Sequence, residues 1–327
     1  TAQLAVRAGR RNSVADAYGL TTPDRPHEAL VVRTRSTVDR LVFAGDRVAG
    51  VAFGNGSTIA ADRVVLAAGA LRSPSLLWRS GVRHRELGRS AEDHPSFVFT
   101  VALHPAARVP VDVAHPPVTA MLRWSSGDRL FGGDPGGQDQ GNDLAAHVLD
   151  HVGVGADGRR FAAVIVMLAS ARSRGRLRLH EPGPGLRFDP GWLVHPADRR
   201  RLLAGVRHIA ALLADQQLGG VAETVSIDDR GTPLAALDGM TDVEAERWLV
   251  EHPGPVSHIA ATLPLDLGAN RSSTEADSLG LIGDGGVVRG VAGLHVIDAS
   301  VLPSLPSGNP QLPVMAVAER LSSELFR

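Results

Sequence analysis

The chain has no cysteine and no lysine. Without cysteine there is no disulfide, no thiolate metal site and no thiol nucleophile. All 34 basic residues are therefore arginines, which we read as a bias towards high-GC codons. They are balanced by 35 acidic residues, and the net charge of −1 argues against a general nucleic-acid or anionic-membrane binder. No apolar run reaches the ~20 residues of a membrane-spanning helix, so no transmembrane segment is expected. The residues after Thr1 lack a signal-peptide pattern, and the expected location is cytoplasmic. A serine hydrolase would want Gly-x-Ser-x-Gly after a strand, and a zinc hydrolase His-Glu-x-x-His; both are absent. Asp134, Asp139 and Asp143 do not fit the calcium-loop spacing, so no metal site is expected. No Gly-x-Gly-x-x-Gly lies between a strand and a helix. Gly54-Asn55-Gly56 reads as a hairpin turn, and Gly283-Asp284-Gly285-Gly286 has no helix after it.

At 327 residues the chain is long enough for two domains or one large one. Its most informative stretch is near the end: Gly293-Leu294-His295-Val296-Ile297-Asp298-Ala299-Ser300, then Pro306-Ser307-Gly308-Asn309-Pro310-Gln311. Leu294 to Ile297 is a short apolar run that reads as a buried strand ending in a carboxylate. In the helix that follows, Val314, Val317, Ala318, Leu321 and Leu325 share one face. Pro313 suits its first turn, where a missing N–H costs little. An acidic strand end, an Asn-Pro turn and a helix N-terminus thus converge, and the N–H groups there can stabilise an anion.

Upstream, Ala29 to Val65 reads as β structure, with strands at Ala29–Val32, Thr37–Phe43, Arg47–Phe53 and Thr58–Ile59. Arg63 to Ala70 reads as a buried strand ending in glycine. Ser73 is expected to cap a short helix begun by Pro74 and ended by Gly81. From Val98 to about Asp150 the pattern is irregular, and Ser125 to Asp143 reads as a solvated loop. Phe161 to Leu168 is a strand. Arg172 to Leu179 is a hairpin arm with Leu177 and Leu179 inward. Pro196 starts a helix through Asp215, and Thr241-Asp242-Val243-Glu244 is a capping box for a helix to Val250.

The C-terminal stretch resembles the glucose–methanol–choline (GMC) family of flavoprotein oxidoreductases, whose pattern is Gly-Leu-x-Val-x-Asp-x-Ser, then Pro-x-x-x-Ser-x-Asn/His. Ala70-Leu71-Arg72-Ser73-Pro74-Ser75-Leu76-Leu77-Trp78-Arg79-Ser80-Gly81-Val82 resembles the family's second signature. Asp93-His94-Pro95 resembles its Asp-His-Pro, and Ala17-Tyr18-Gly19 its Ala-Tyr-Leu. His258-Ile259-Ala260-Ala261-Thr262-Leu263 stands where the family has His-Pro-x-Gly-Thr-Cys; only His258 and Thr262 agree.

This resemblance implies an α/β (α+β) fold. It is the Rossmann-like GMC fold, expected to lack its N-terminal βαβ unit, with an inserted substrate domain of antiparallel sheet plus helices. The implied division is 1–82 and 256–327 for FAD binding and 83–255 for substrate. FAD is the implied cofactor. Val38 would meet the adenine through its backbone, and Ala68 and Gly69 would lie near the ADP portion. Asp298, Ala299, Pro310 and Gln311 would lie at the flavin end. The implied reaction oxidises an alcohol CH–OH to a carbonyl by hydride transfer to flavin N5. His258 would be the base and Asn309 would hold the oxygen beside it. His94 reads as a turn residue.

The implied partners are a small alcohol and an electron acceptor, either oxygen or a redox carrier. Two other readings stand beside this one. A GMC-fold hydroxynitrile lyase uses the same histidine without redox chemistry. A non-catalytic fragment or interaction module would need a missing N-terminal segment or partner chain, and would hold FAD poorly by itself. Ala261-Thr262-Leu263-Pro264 with Met167-Leu168 and Ser173-Arg174-Gly175 also looks like the mycofactocin-associated members of the family.

Overall fold

The computed structural model describes residues 6–7, 10–19, 30–111, 117–127, 142–153, 155–179, 186–254, 256–266 and 280–325. Within them the chain forms two compact units, each assembled from separate segments.

The first unit contains residues 1–34, 95–169 and 196–255. It opens with the antiparallel pair β1 (Val6–Arg7) and β2 (Arg10–Arg11), followed by one turn of helix, α1 (Val14–Ala17). Its centre is an antiparallel sheet of β7 (Ser96–Leu103), β8 (Val118–Trp124), β9 (Leu144–Leu149), β10 (Phe161–Leu168) and β13 (Ala222–Ser226), in the order β13-β7-β10-β9-β8. Three of these strands lie in the stretch whose pattern reads as irregular. Alanine and polar residues dilute the signal in β8 and β9, and pairing with the neighbouring strands decides the conformation instead of propensity. Most of the Ser125–Asp143 loop falls outside the described residues. Helix α3 (Pro196–Leu213) packs on this sheet. It comes close at Gly205, where a Cβ would stand 3.0 Å from a Leu144 methyl. Helix α4 (Asp242–Glu251) opens with the expected capping box between Thr241 and Glu244.

The second unit contains residues 35–94, 170–195 and 256–327. Its meander is β3 (Val38–Ala44), β4 (Arg47–Phe53) and β5 (Thr58–Ala60), with the Gly54–Gly56 turn joining the last two. Strand β6 (Val64–Leu66) pairs in parallel with β14 (Leu294–Val296), which brings the two ends of the unit together. Helix α2 spans Gly69–Arg79, the hairpin is β11 (Arg176–Leu179) with β12 (Leu186–Asp189), and α5 spans Gln311–Leu325. The core holds Leu41, Val48, Leu66, Leu77, Leu263, Ile282, Val296 and Leu321, with Val317, Ala318 and Leu325 of α5 packed against it. Burying a leucine such as Leu321 contributes ~2 kcal/mol.

Two sequence expectations differ from this structure. Ala29 lies outside the described residues, and Leu30–Val32 is irregular and exposed, since no described strand lies beside it to pair with. The helix expected from Ser73 starts at Gly69, because Asp298 supplies the acceptor for its first N–H; Ser73 is buried inside it. The two units divide at 34/35, 94/95, 169/170, 195/196 and 255/256. Residues 83–94 and 170–195 are joined by main-chain bonds between Ala91 and Gly175 and between Leu177 and Gly88.

Candidate active site

Every residue singled out in the sequence for catalysis or cofactor binding falls in the second unit. The strand–helix junction at its centre is held by one carboxylate. Asp298 Oδ2 accepts from the Gly69 N–H at 2.9 Å and from the Ser73 hydroxyl at 2.5 Å. Its Oδ1 accepts from the Ser300 N–H at 2.8 Å and from the Ser300 hydroxyl. An anion at the N-terminus of α2 also suits the helix dipole. The side chain of Asp298 is thus spent on joining β14 to α2. Gly69 and Asp298 meet in a direct hydrogen bond.

Around the junction lie small or exposed groups. Ala68 is exposed, and Gly69 has φ +82, with no atom within 4 Å of where a Cβ would stand. Val38 begins β3 and is half-buried; Ala299 is half-buried and its carbonyl accepts from Ala261 N–H at 3.1 Å. Pro310 and Gln311 form the start of α5, where the Pro310 carbonyl accepts from Val314 N–H. Asn309 is exposed, and its Oδ1 accepts from Gln311 N–H at 3.2 Å, capping that helix.

The segment carrying His258 runs beside the turn after Asp298. Ala261, Leu263 and Leu265 N–H groups donate in succession to the carbonyls of Ala299, Ser300 and Val301. Two non-glycine residues with left-handed backbone flank the histidine, Ser257 at φ 59 and Ala261 at φ 56. Ala261 stands where the family pattern has glycine, and the positive φ is the physical reason for glycine there.

His258 meets a second histidine. The rings of His94 and His258 stand edge to face, with centroids 5.3 Å apart and Nδ1 to Nδ1 3.1 Å. His94 Nε2 is 3.1 Å from the Pro306 carbonyl oxygen. A carbonyl can only accept, so the network assigns the proton of neutral His94 to Nε2 and leaves its Nδ1 as an acceptor. His258 must then donate from Nδ1, which places its lone pair on Nε2. Asp93 fixes both main chains, its Oδ1 accepting from His94 N–H at 2.9 Å and His258 N–H at 2.8 Å. Burial pushes the Asp93 carboxyl up to about 6, and the two N–H donors oppose that rise.

His94, Asp93 and Pro306 are the site residues that sequence reasoning undervalued. The Asp-His-Pro run was visible, but nothing local shows that its histidine reaches a carbonyl 212 residues away.

The family model described as GMC oxidoreductase matches in two parts, an N-terminal model over residues 1–96 and a C-terminal model over residues 171–318. The chain belongs to the GMC oxidoreductase family. Among curated proteins it is 29% identical to the 5-(hydroxymethyl)furfural oxidase of Methylovorus sp. (strain MP688), covering 98% of this chain and 62% of that protein. It is 25% identical to oxygen-dependent choline dehydrogenase 1 of Chromohalobacter salexigens, covering 97% of this chain and 60% of that one. The chain therefore spans about three-fifths of the length of these relatives. Pyridoxine 4-oxidase from Mesorbium loti shares the fold at a TM-score of 0.74 and 23% identity, over 98% of this chain and 62% of that one.

FAD is the cofactor that goes with this membership. The residues present leave room for it at Ala68–Gly69, an open surface where no atom lies within 4 Å of a Cβ built on Gly69 and a group can approach the main chain closely.

Proposed function

We propose that this chain carries the proton-handling part of an FAD-dependent alcohol oxidation, with His258 as the base. The observation that carries the reading is the Pro306–His94–His258 chain, which puts the lone pair of His258 on Nε2. When bound, FAD would supply the two-electron acceptor for the carbon–hydrogen bond. Val38, Ala68, Gly69, Asp298, Ala299, Pro310 and Gln311 would hold it, largely through main-chain atoms.

An alcohol proton is not released readily to water at neutral pH, so its removal needs a placed acceptor. His258 Nε2 takes that proton, and the new cation is met at once by His94 Nδ1 3.1 Å behind it. The charge is shared between two rings and ends at the Pro306 carbonyl, which accepts from His94 Nε2. Asp93, fixed between both main chains, keeps the rings in register. Asn309 uses its Oδ1 on α5, which leaves its amide N–H groups to donate to the substrate oxygen. The substrate is a small alcohol, as the names of the relatives suggest, and the electrons pass on to oxygen or a carrier.

The test is His258→Ala in the full-length protein, read by rapid mixing with substrate. Flavin content should match the parent while flavin reduction slows by about 10²–10⁴-fold. An unchanged reduction rate would remove His258 from the mechanism.

A further inference from the structure

Glu92, two residues before His94, is buried at 9% exposure and touches all three segments that meet at the histidine pair. Its main chain pairs in both directions with Ala260, at 3.0 and 2.9 Å, two residues after His258. Its Oε2 accepts from the Leu305 N–H at 2.9 Å, one residue before Pro306. Its Oε1 meets Arg174 Nε at 2.9 Å. Arg174 is itself anchored, since its guanidinium also donates to the carbonyls of Ala171 and Ser173.

We infer that Glu92 and Arg174 are a positioning pair that holds the Pro306 carbonyl against His94 and thereby sets the tautomer of His258. The inference rests on the reading of His258 as the base. Pro306 has no N–H of its own; its carbonyl also accepts from the Gly308 N–H at 2.7 Å within a local turn, and that turn is tied down on its near side by Leu305, which hangs on Glu92. A buried carboxylate with a single hydrogen bond would be costly, and Arg174 pairs with its other oxygen. If the Leu305 bond is lost, the 305–306 segment is released and the Pro306 carbonyl no longer selects the Nε2–H form of His94. The His94 proton can then sit on either nitrogen, and His258 loses the acceptor that held its own proton on Nδ1. Neither Glu92 nor Arg174 touches the reacting atoms in this account.

The experiment is nitrogen-15 NMR of the histidine rings in this 327-residue chain, with the His94 and His258 signals assigned by their loss in His94→Gln and His258→Gln. The parent should show His258 protonated on Nδ1 and His94 on Nε2. Glu92→Gln keeps one oxygen for Leu305 but loses the Arg174 pairing, and Glu92→Ala loses both; both should give a mixture of tautomers at the two rings, the larger in Glu92→Ala. Arg174→Met changes a half-exposed side chain, is expected to fold even if Glu92→Ala does not, and should also give mixed tautomers. A parent pattern persisting in Glu92→Ala or in Arg174→Met overturns the inference; lost stability with unchanged tautomers would mean a merely structural pair. In the full-length protein Glu92→Ala should lower kcat by at least about tenfold with KM little changed. Mixed tautomers with an undiminished kcat would support the positioning and sink the base assignment instead.

Discussion

The hydroxyl of Thr262 donates to the carbonyl oxygen of Ala70 at 2.7 Å, and Pro74 is the reason it must. Ala70 sits in the first turn of α2, and in an uninterrupted helix its carbonyl would accept from the N–H four residues on. That position is Pro74, which has none. Thr262 is wholly buried and closes the gap from the segment that carries His258. Its agreement with the family pattern is thus explained by helix geometry.

Thr262→Val should leave a buried carbonyl unsatisfied and cost about 1–3 kcal/mol in urea unfolding. In a Pro74→Ala background, where residue 74 regains an N–H, the same substitution should cost clearly less. Equal costs in both backgrounds would show that the two residues are not coupled.

Asp93 makes a pH prediction with a definite sign. Its folded pKa of about 6 lies above the ordinary 3.8, so between those values the folded state holds the proton more tightly. The contribution of this group to stability is therefore fully present below about pH 3.8 and is lost as pH rises through about 6. The full displacement corresponds to about 3 kcal/mol. Asp93→Asn keeps an oxygen for both N–H donors and removes the titration. The difference in unfolding free energy between parent and variant should change across that window and be flat above pH 7.

His94→Phe should remove the acceptor behind His258 while filling much the same space. In the full-length protein we expect flavin content to hold and flavin reduction to slow by about 10–100-fold, a fraction of what loss of a general base costs. A rate equal to the parent would show that His258 works without its neighbour.

Ala261→Gly should raise stability by up to ~1 kcal/mol, since alanine at positive φ is strained. The midpoint of thermal unfolding reads it; a lower midpoint would mean that the alanine methyl contributes more than the strain costs.

Much of this was legible along the chain. Helix α3 follows from its apolar period and α4 from Thr241 and Glu244, because both signals sit within one or two turns. His258 could be picked from 13 histidines by its spacing to the terminal segment. What could not be read depends on partners far away in sequence. The start of α2 is set by Asp298, 229 residues later, and not by Ser73. The role of His94 depends on one carbonyl, which no residue type encodes. Strand β9, Leu-Ala-Ala-His-Val-Leu, carries no alternation because its first three positions are all buried.

The parallel pairing of β6 with β14 has a consequence for synthesis. Gly69 and Asp298 are 229 residues apart, so at ~5–20 residues per second β6 and the start of α2 wait roughly 10–50 s for the segment that secures them. Through that interval β6 lacks its pairing with β14, and α2 lacks the carboxylate that anchors its first turn. The second unit cannot close while the chain emerges; it closes when the last segment arrives. Its yield in the cell is then governed by how well those early residues are shielded in the meantime, and chaperone supply during translation becomes a determinant of how much of the chain reaches the folded state.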